Sequence, residues 1–382
     1  MSDDAQTLPA DAPAVVIGAG PGGLAAAAEL QRVGIAALVL DGAHEVGSSW
    51  GRHYDRLHLH TARTLSSLPG YAIPRALGRW VARDDFRGYL ADYARHHGLD
   101  VRLGSPVTSV SRTPDGRWII GCDGVEIATP LLVVATGYNH TPRIPDWPGL
   151  DHYSGRVIHS SEYRSPAALG ADSVLVVGPG NSGAEIATDL ADSGVATSMA
   201  VRRPPNIVPK QVLGIPSQAL TLPISLLPAA AGDRFTRALQ WASVGDLARF
   251  GLPFPRRGLV SRIAVEDTVP TIDMGIIAAV RAGRVSVVAA VESFDPDSVR
   301  LADGTQLRPD AVVAATGYNR GLEPLFGGLR VLAPSGRPRI NAAQQLRSRP
   351  GLFFLGYSNP LTGNLRQLGI DARAIARRAQ RA

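Results

Sequence analysis

Cysteine occurs once in this chain of 382 residues, at Cys122, and lysine once, at Lys210. A single thiol closes no intramolecular disulfide and supplies neither a Cys-x-x-Cys redox pair nor a cysteine-rich metal site, which excludes a disulfide reductase of the usual dithiol type. Aromatic residues are only 6% of the chain, and no apolar run approaches the roughly 18 residues needed to cross a bilayer. The opening MSDDAQTLPADAP is acidic and proline-containing, where a secretory leader would be basic and then apolar. Residues 1–12 therefore read as a flexible terminus, and the protein as cytoplasmic. With one lysine, the net charge of +6 rests on arginine; it comes with no nucleic-acid motif, so no nucleic-acid partner is expected. No Ser-His-Asp set, carboxylate pair or metal-ligand spacing stands out either. No metal is expected.

What is plentiful is glycine, 41 residues, and two clusters of it organise the chain. The apolar run Ala14 to Ile17 reads as a buried strand, followed at once by Gly18-Ala-Gly20-Pro21-Gly22-Gly23, an alanine-rich helix to Arg32 and a second strand, Ala36 to Leu40, ending at Asp41. The first glycine of such a turn permits the reversal, the second lets the backbone approach a pyrophosphate, and the third lets helix and strand pack closely. The helix N-terminus then offers free N–H groups to phosphate. Asp41, 23 positions after Gly18, falls where a dinucleotide fold places the carboxylate that binds the adenosine ribose.

The pattern recurs. Ser173 to Val177 is a second buried run, Gly178-Pro-Gly180-Asn181-Ser182-Gly183 a second turn, Asn181 to Ser193 a helix, and Ala196 to Val201 a strand, but this one ends at Arg202-Arg203. Arginine offers a 2′-phosphate a planar fork of charged donors where a carboxylate would repel it. The second nucleotide is thus expected to be NADPH, and the first, with Asp41, to be FAD. The plain alternative for Arg202 and Arg203 is two solvated arginines.

Each unit also carries strand-like pieces separated by Asp-Gly turns and then a buried run closing in Ala-Thr-Gly-Tyr, at 135–138 and at 315–318. Thr136 and Gly137 are accordingly expected beside FAD, and Thr316 and Gly317 beside NADP. The expected fold is α/β, with two dinucleotide-binding, Rossmann-like, three-layer domains. The NADP domain, residues 164–284, is inserted into an FAD domain built from residues 13–163 and 285–382. Asp84 to His97 reads as a helix with Phe86, Leu90 and Tyr93 on its core face, and Asp233 to Phe250 as an amphipathic helix with Phe235, Leu239 and Ala242 on one side. The proline-broken apolar segment Val212 to Ala231 is expected to pack, with covering a substrate passage or touching a membrane surface as alternatives.

Several strings resemble the class B flavin-dependent monooxygenases, and most closely the YUCCA-type members. These are Gly47-Ser-Ser-Trp50, Tyr54-Asp-Arg-Leu-His-Leu-His60, the string from Asp267 to Gly275, and Gly369-Ile-Asp-Ala372. Tyr153-Ser-Gly155-Arg-Val-Ile-His159-Ser-Ser-Glu-Tyr163 is similar to the family's identifying motif, with Tyr153 in place of Phe; the ending Tyr163-Arg164 does not match Baeyer–Villiger enzymes. The resemblance implies that Trp50, His60 and Val107 lie near the flavin with Thr136 and Gly137, and that His60 and Asn364 are the candidates closest to the chemistry. For His60, a hydrogen-bonded core histidine is favoured over a part in proton transfer. The motif is expected between the domains, with His159 as an inter-domain strut. The implied reaction is reduction of FAD by NADPH, capture of O₂ as a C4a-(hydro)peroxyflavin, and transfer of one oxygen atom to a small organic substrate, at a heteroatom or at the carbonyl of a substrate such as a 2-oxo acid. Arg63 and Arg366 are candidates to meet a substrate carboxylate. The alternatives are an NADPH-dependent FAD reductase of ferredoxin or quinone type, which the motif disfavours, and a non-catalytic redox-sensing module. A homodimer is compatible with all three.

Overall fold

In the computed structural model, which describes residues 7–266 and 268–381, the run Ala14–Ile17 is buried along its length, as the central strand of a parallel sheet must be. It lies between Ala37–Leu40 and Leu132–Val134, with Asp100–Arg102 and Leu352–Phe354 at the edges, all parallel. The run Ser173–Val177 sits the same way in a second parallel sheet, between Ala196–Ala200 and Ala311–Ala314, with Val285–Val288 and Arg156–His159 at the edges. In both sheets the strand order reverses beside the glycine-turn strand, and open α/β sheets bind ligands beyond the carboxyl ends of the strands at that point.

Side chains alternate between two cores in each unit, which makes three layers. In the first, Ala14, Val16, Val39, Val133 and Phe353 face the helices Pro21–Arg32, Arg83–His96 and Asn364–Ala379. Val15, Ile17, Leu38, Leu40, Val134 and Phe354 pack instead under a three-stranded antiparallel ribbon that contributes Trp118, Ile120 and Ile127. The second unit repeats this with Val174, Val176 and Val313 toward the helix Asn181–Asp192, and Leu175, Val177 and Val312 toward a ribbon carrying Phe294 and Val299. Each fully buried Val, Leu, Ile or Phe contributes about 1.5–3 kcal/mol. The two stretches that cross between the sheets are themselves joined, Tyr318–Asn319 pairing antiparallel with Thr141–Pro142.

Phe86, Leu90 and Tyr93 are buried, as expected. Other expectations need correction. The edge strand Arg156–His159 precedes residue 164, and Val285–Val288 and Ala311–Ala314 follow residue 284, yet all three belong to the second sheet. The reason is local. The strand ending in Ala-Thr-Gly-Tyr must lie against its own glycine turn, because Gly18 packs on the Ala135 carbonyl and Gly178 on that of Ala315. The helix expected over Asp233 to Phe250 runs instead from Ala229 to Val244 and stops at Gly245. Its buried face is Gly232, Thr236, Gln240 and Val244, while Phe235 is 53% exposed. A Cβ at Gly232 would come within 2.9 Å of Val260, so close approach rather than apolar bulk selects that face. Of the terminus expected to be flexible, residues 1–6 lie outside the described residues, as does Asp267, whereas Asp11 bridges to Ala128 and Ala12 is buried. Among the described residues no helix is long and apolar enough to cross a membrane.

Candidate active site

The two glycine turns face one cavity of about 1570 Å³. Gly18 and Gly178 adopt φ of +110° and +113°, and a Cβ at either would stand 2.5 Å from the alanine carbonyl of its own Ala-Thr-Gly-Tyr segment. A Cβ at Gly23 or Gly183 would come within 1.8 or 1.9 Å of the carbonyl oxygen of Gly18 or Gly178, so these third glycines set helix against strand and do not reach the cavity. Gly20 and Gly180 have open space where their Cβ would be, and neither following helix has a side-chain cap or an acid in its first turn. Uncapped N–H groups behind a bare backbone fit a dinucleotide pyrophosphate at each turn.

Pro21, Gly22, Asp41, Trp50, His60, Val107, Thr136, Gly137, Asn181, Ser182, Arg202, Arg203, Thr316, Gly317 and Asn364 all line this cavity. The Asp41 carboxylate accepts from the Ala19 N–H (2.6 Å) and the Ala43 N–H (2.8 Å), which ties the end of the second strand to the first turn. Thr136 shares a hydrogen bond of 2.7 Å with the Tyr357 hydroxyl. Trp50 stands edge-on to Phe86, 4.6 Å between ring centres. Arg202 and Arg203 are exposed and have no ion-pair partner among the described residues. Asn181 accepts from the Ile272 N–H and donates to the Pro270 carbonyl, fixing the 270–273 segment over the second turn.

His60 is hydrogen-bonded but is not in a core. It stands in the cavity wall, 23% exposed, and its Nε2 meets a carboxylate oxygen of Glu185, which is only 2% exposed on the helix of the second turn. Burial first, then the nearby Glu185 carboxylate, pushes the Tyr54 phenol well above its ordinary range. His53 nearby is pushed down to about 4 by burial, reinforced by Arg164 and Arg83, and is therefore neutral at neutral pH. Glu185 was missed in the sequence; it is one of three acids in the helix Asn181–Asp192, with Asp189 and Asp192, and no spacing set it apart.

The signature positions Tyr153, Gly155, His159 and Tyr163 do not line the cavity, although Ser161 and Glu162 between them do. The Tyr153 ring lies over Gly155 and its hydroxyl donates to the Pro309 carbonyl. His159 Nε2 donates to the Gly317 carbonyl at 3.0 Å, so its Nδ1 is the acceptor and takes the Ser161 N–H at 3.1 Å. The Tyr163 hydroxyl donates to Asp189 at 2.8 Å. These bonds lie inside the second unit. His159 braces the second Ala-Thr-Gly-Tyr segment and is not a strut between domains; beside Tyr163 a crossing contact is made by Arg56, paired with Asp189 at 3.1 Å. Arg63 is bound to the carbonyls of Gly78 and Ile73, and neither it nor Arg366 lines the cavity.

Two Rossmann-type sheets whose glycine turns open on one cavity define a flavoprotein oxidoreductase that works with a pyridine nucleotide. Residues 15–212 match the family described as pyridine nucleotide-disulphide oxidoreductase. The chain is 33% identical over 350 residues to the indole-3-pyruvate monooxygenase YUCCA1 of Oryza sativa subsp. japonica, covering 90% of this chain and 86% of that one. It superposes on a flavin-containing monooxygenase from Stenotrophomonas maltophilia with a TM-score of 0.75 at 25% identity, covering 97% and 98% of the two chains. Cyclohexanone monooxygenase shares the fold at 19% identity, with a TM-score of 0.72 over 98% and 89% of the chains. The chain belongs to the class B flavin-dependent monooxygenases and is similar to their YUCCA branch. It is an FAD- and NADPH-dependent monooxygenase acting on a small molecule and O₂, and the reductase alternative is not favoured.

Proposed function

We propose that the first glycine turn, with Asp41, holds FAD, that the second, with Arg202 and Arg203, holds NADPH, and that the cavity between them oxygenates a small 2-oxo acid bearing an aromatic side chain. The observation that carries this reading is a single cavity reaching both uncapped helix N-termini. The substrate class is supported by the activity named for the rice relative and by the apolar Leu220, Ile224, Leu239 and Leu361 in the wall. On this reading the NADPH unit runs from the strand Arg156–His159 to the strand Ala311–Ala314. We also assign the protein to the cytoplasm, since its lone buried thiol suits a reducing compartment.

When bound, the flavin supplies the O₂ chemistry that no side chain of this protein performs. The residues bind, orient and exclude water. Gly20 and Gly180 leave room for pyrophosphate, Trp50 and Thr136 border the flavin, and the leucine wall keeps the reacting centre dry. Glu185 fixes the His60 ring by holding its Nε2 proton.

Purified protein should be yellow, and anaerobic NADPH should bleach it. On admitting isotopically labelled O₂, phenylpyruvate should yield phenylacetate carrying one labelled oxygen atom, with one CO₂, one water and one NADP⁺. NADPH consumption that gives only hydrogen peroxide with every 2-oxo acid tried would rule out the substrate class; colourless protein that takes up no FAD would rule out the whole reading.

A further inference from the structure

Lys210, the sole lysine, follows the strand Ile207–Pro209, which pairs with Thr271–Asp273 and so is tied to the second glycine turn through Asn181. Its carbonyl accepts from the Ser217 N–H, at the start of the helix Ser217–Ile224. That helix is anchored across to the first unit, where Gln218 donates to the Thr362 carbonyl (2.7 Å) and Thr221 to that of Leu361 (3.0 Å), just before Asn364 opens the C-terminal helix. Lys210 therefore stands where the second unit's segment meets the first, in the cavity wall.

Its ammonium lies 4.4 Å from the centre of the Trp80 ring. The segment carrying Trp80 runs alongside the strand-like stretch of His60, since Leu59 N–H bonds the Val81 carbonyl and Arg63 N–H that of Arg79. No hydrogen bond or ion pair holds Lys210 Nζ among the described residues. Glu185 is near enough to act on it electrostatically but is engaged by His60. Other cations of the wall are accounted for. Arg164 is bound to the carbonyls of Arg52 and Ser161, and Arg262 to Glu266 and the Pro204 carbonyl; Arg202 and Arg203 stand at the phosphate end, and Arg52 and Arg143 are exposed.

A half-buried ammonium steadied on an aromatic face, with no anion of its own, costs desolvation that an incoming anion would offset. Burial indeed pushes Lys210 below its ordinary range. We propose that Lys210 is the residue that selects an anionic substrate, pairing its ammonium with the substrate carboxylate while Trp80 keeps the side chain extended. The proposal rests on the oxygenation reading above and adds the group that makes the acid preferable to its neutral analogues.

The test uses the FAD-bound enzyme with NADP⁺ present, phenylpyruvate and its methyl ester as probes, and the variants K210M and K210R. K210M preserves the unbranched stem and removes the charge. A charge-assisted bond of the usual strength predicts that K210M weakens phenylpyruvate binding, by calorimetry and in KM, about ten- to a hundredfold. FAD content, melting temperature, anaerobic reduction by NADPH and the KM for the ester should stay as in the wild type. K210R should restore much of the preference for the acid. Equal effects of K210M on acid and ester would overturn the proposal, as would a rise in the KM for NADPH alone, or a wild type that binds no phenylpyruvate. If neither probe is oxygenated, the reaction assignment fails while the calorimetric ratio still decides the role of Lys210.

Discussion

Replacing Arg202 and Arg203 by alanine tests the nucleotide assignment most directly. Both follow the strand Ala196–Ala200, line the cavity and are exposed without an ion-pair partner among the described residues, so the fold takes nothing from their charge. The double variant should therefore melt with the wild type, within about 0.5 kcal/mol. A hydrogen bond to a charged group contributes roughly 1.5–3 kcal/mol, and exposure lowers that to about 1–2 kcal/mol for each arginine facing a 2′-phosphate. Two such contacts convert to a rise in apparent KM for NADPH of roughly thirty- to several-hundredfold. NADH, which lacks the phosphate, should be used as before. Steady-state oxidation of both nucleotides, with FAD content as control, measures the ratio directly. An equal loss for NADH and NADPH would show that the two arginines shape the loop and do not read the phosphate.

Gly23→Ala puts a methyl group within 1.8 Å of the Gly18 carbonyl, and Gly183→Ala within 1.9 Å of that of Gly178; the first should purify without flavin, the second should stay yellow but resist reduction by NADPH, and the reverse pattern would exchange the two sites. His53 is held neutral in the fold down to about pH 4, while the unfolded chain protonates it near 6.5. Stability should accordingly be lost as pH falls through that window, by up to about 3 kcal/mol, and denaturant titrations of His53→Gln should lack that contribution. Cys122 is fully buried and its thiol is pushed up to about 11 by burial and then by Asp123, so a thiol-reactive dye should label it only after denaturant is added.

The glycine turns, the helices behind them and the residues closing the second strands were legible because each depends on neighbours a few positions away. The places of Asp41 and Arg202 in the cavity wall follow from their spacing after the glycine turns. What the sequence hid is what the fold brings together from afar. Glu185 reaches His60 across 125 positions and turns an expected core histidine into a cavity-wall group. The sheet membership of Arg156–His159 and Ala311–Ala314 follows from the fit of Gly178 against Ala315, a contact no periodicity announces. The helix Ala229–Val244 misled for a different reason. Its close docking at Gly232 selects small and polar side chains for the buried face, so an apolar moment points the wrong way.

The pairing of Tyr318–Asn319 with Thr141–Pro142 constrains how the halves of this enzyme move. Two independent tethers could shift separately, whereas strands laced side by side by backbone hydrogen bonds pull on one another, so neither crossing can move without the other.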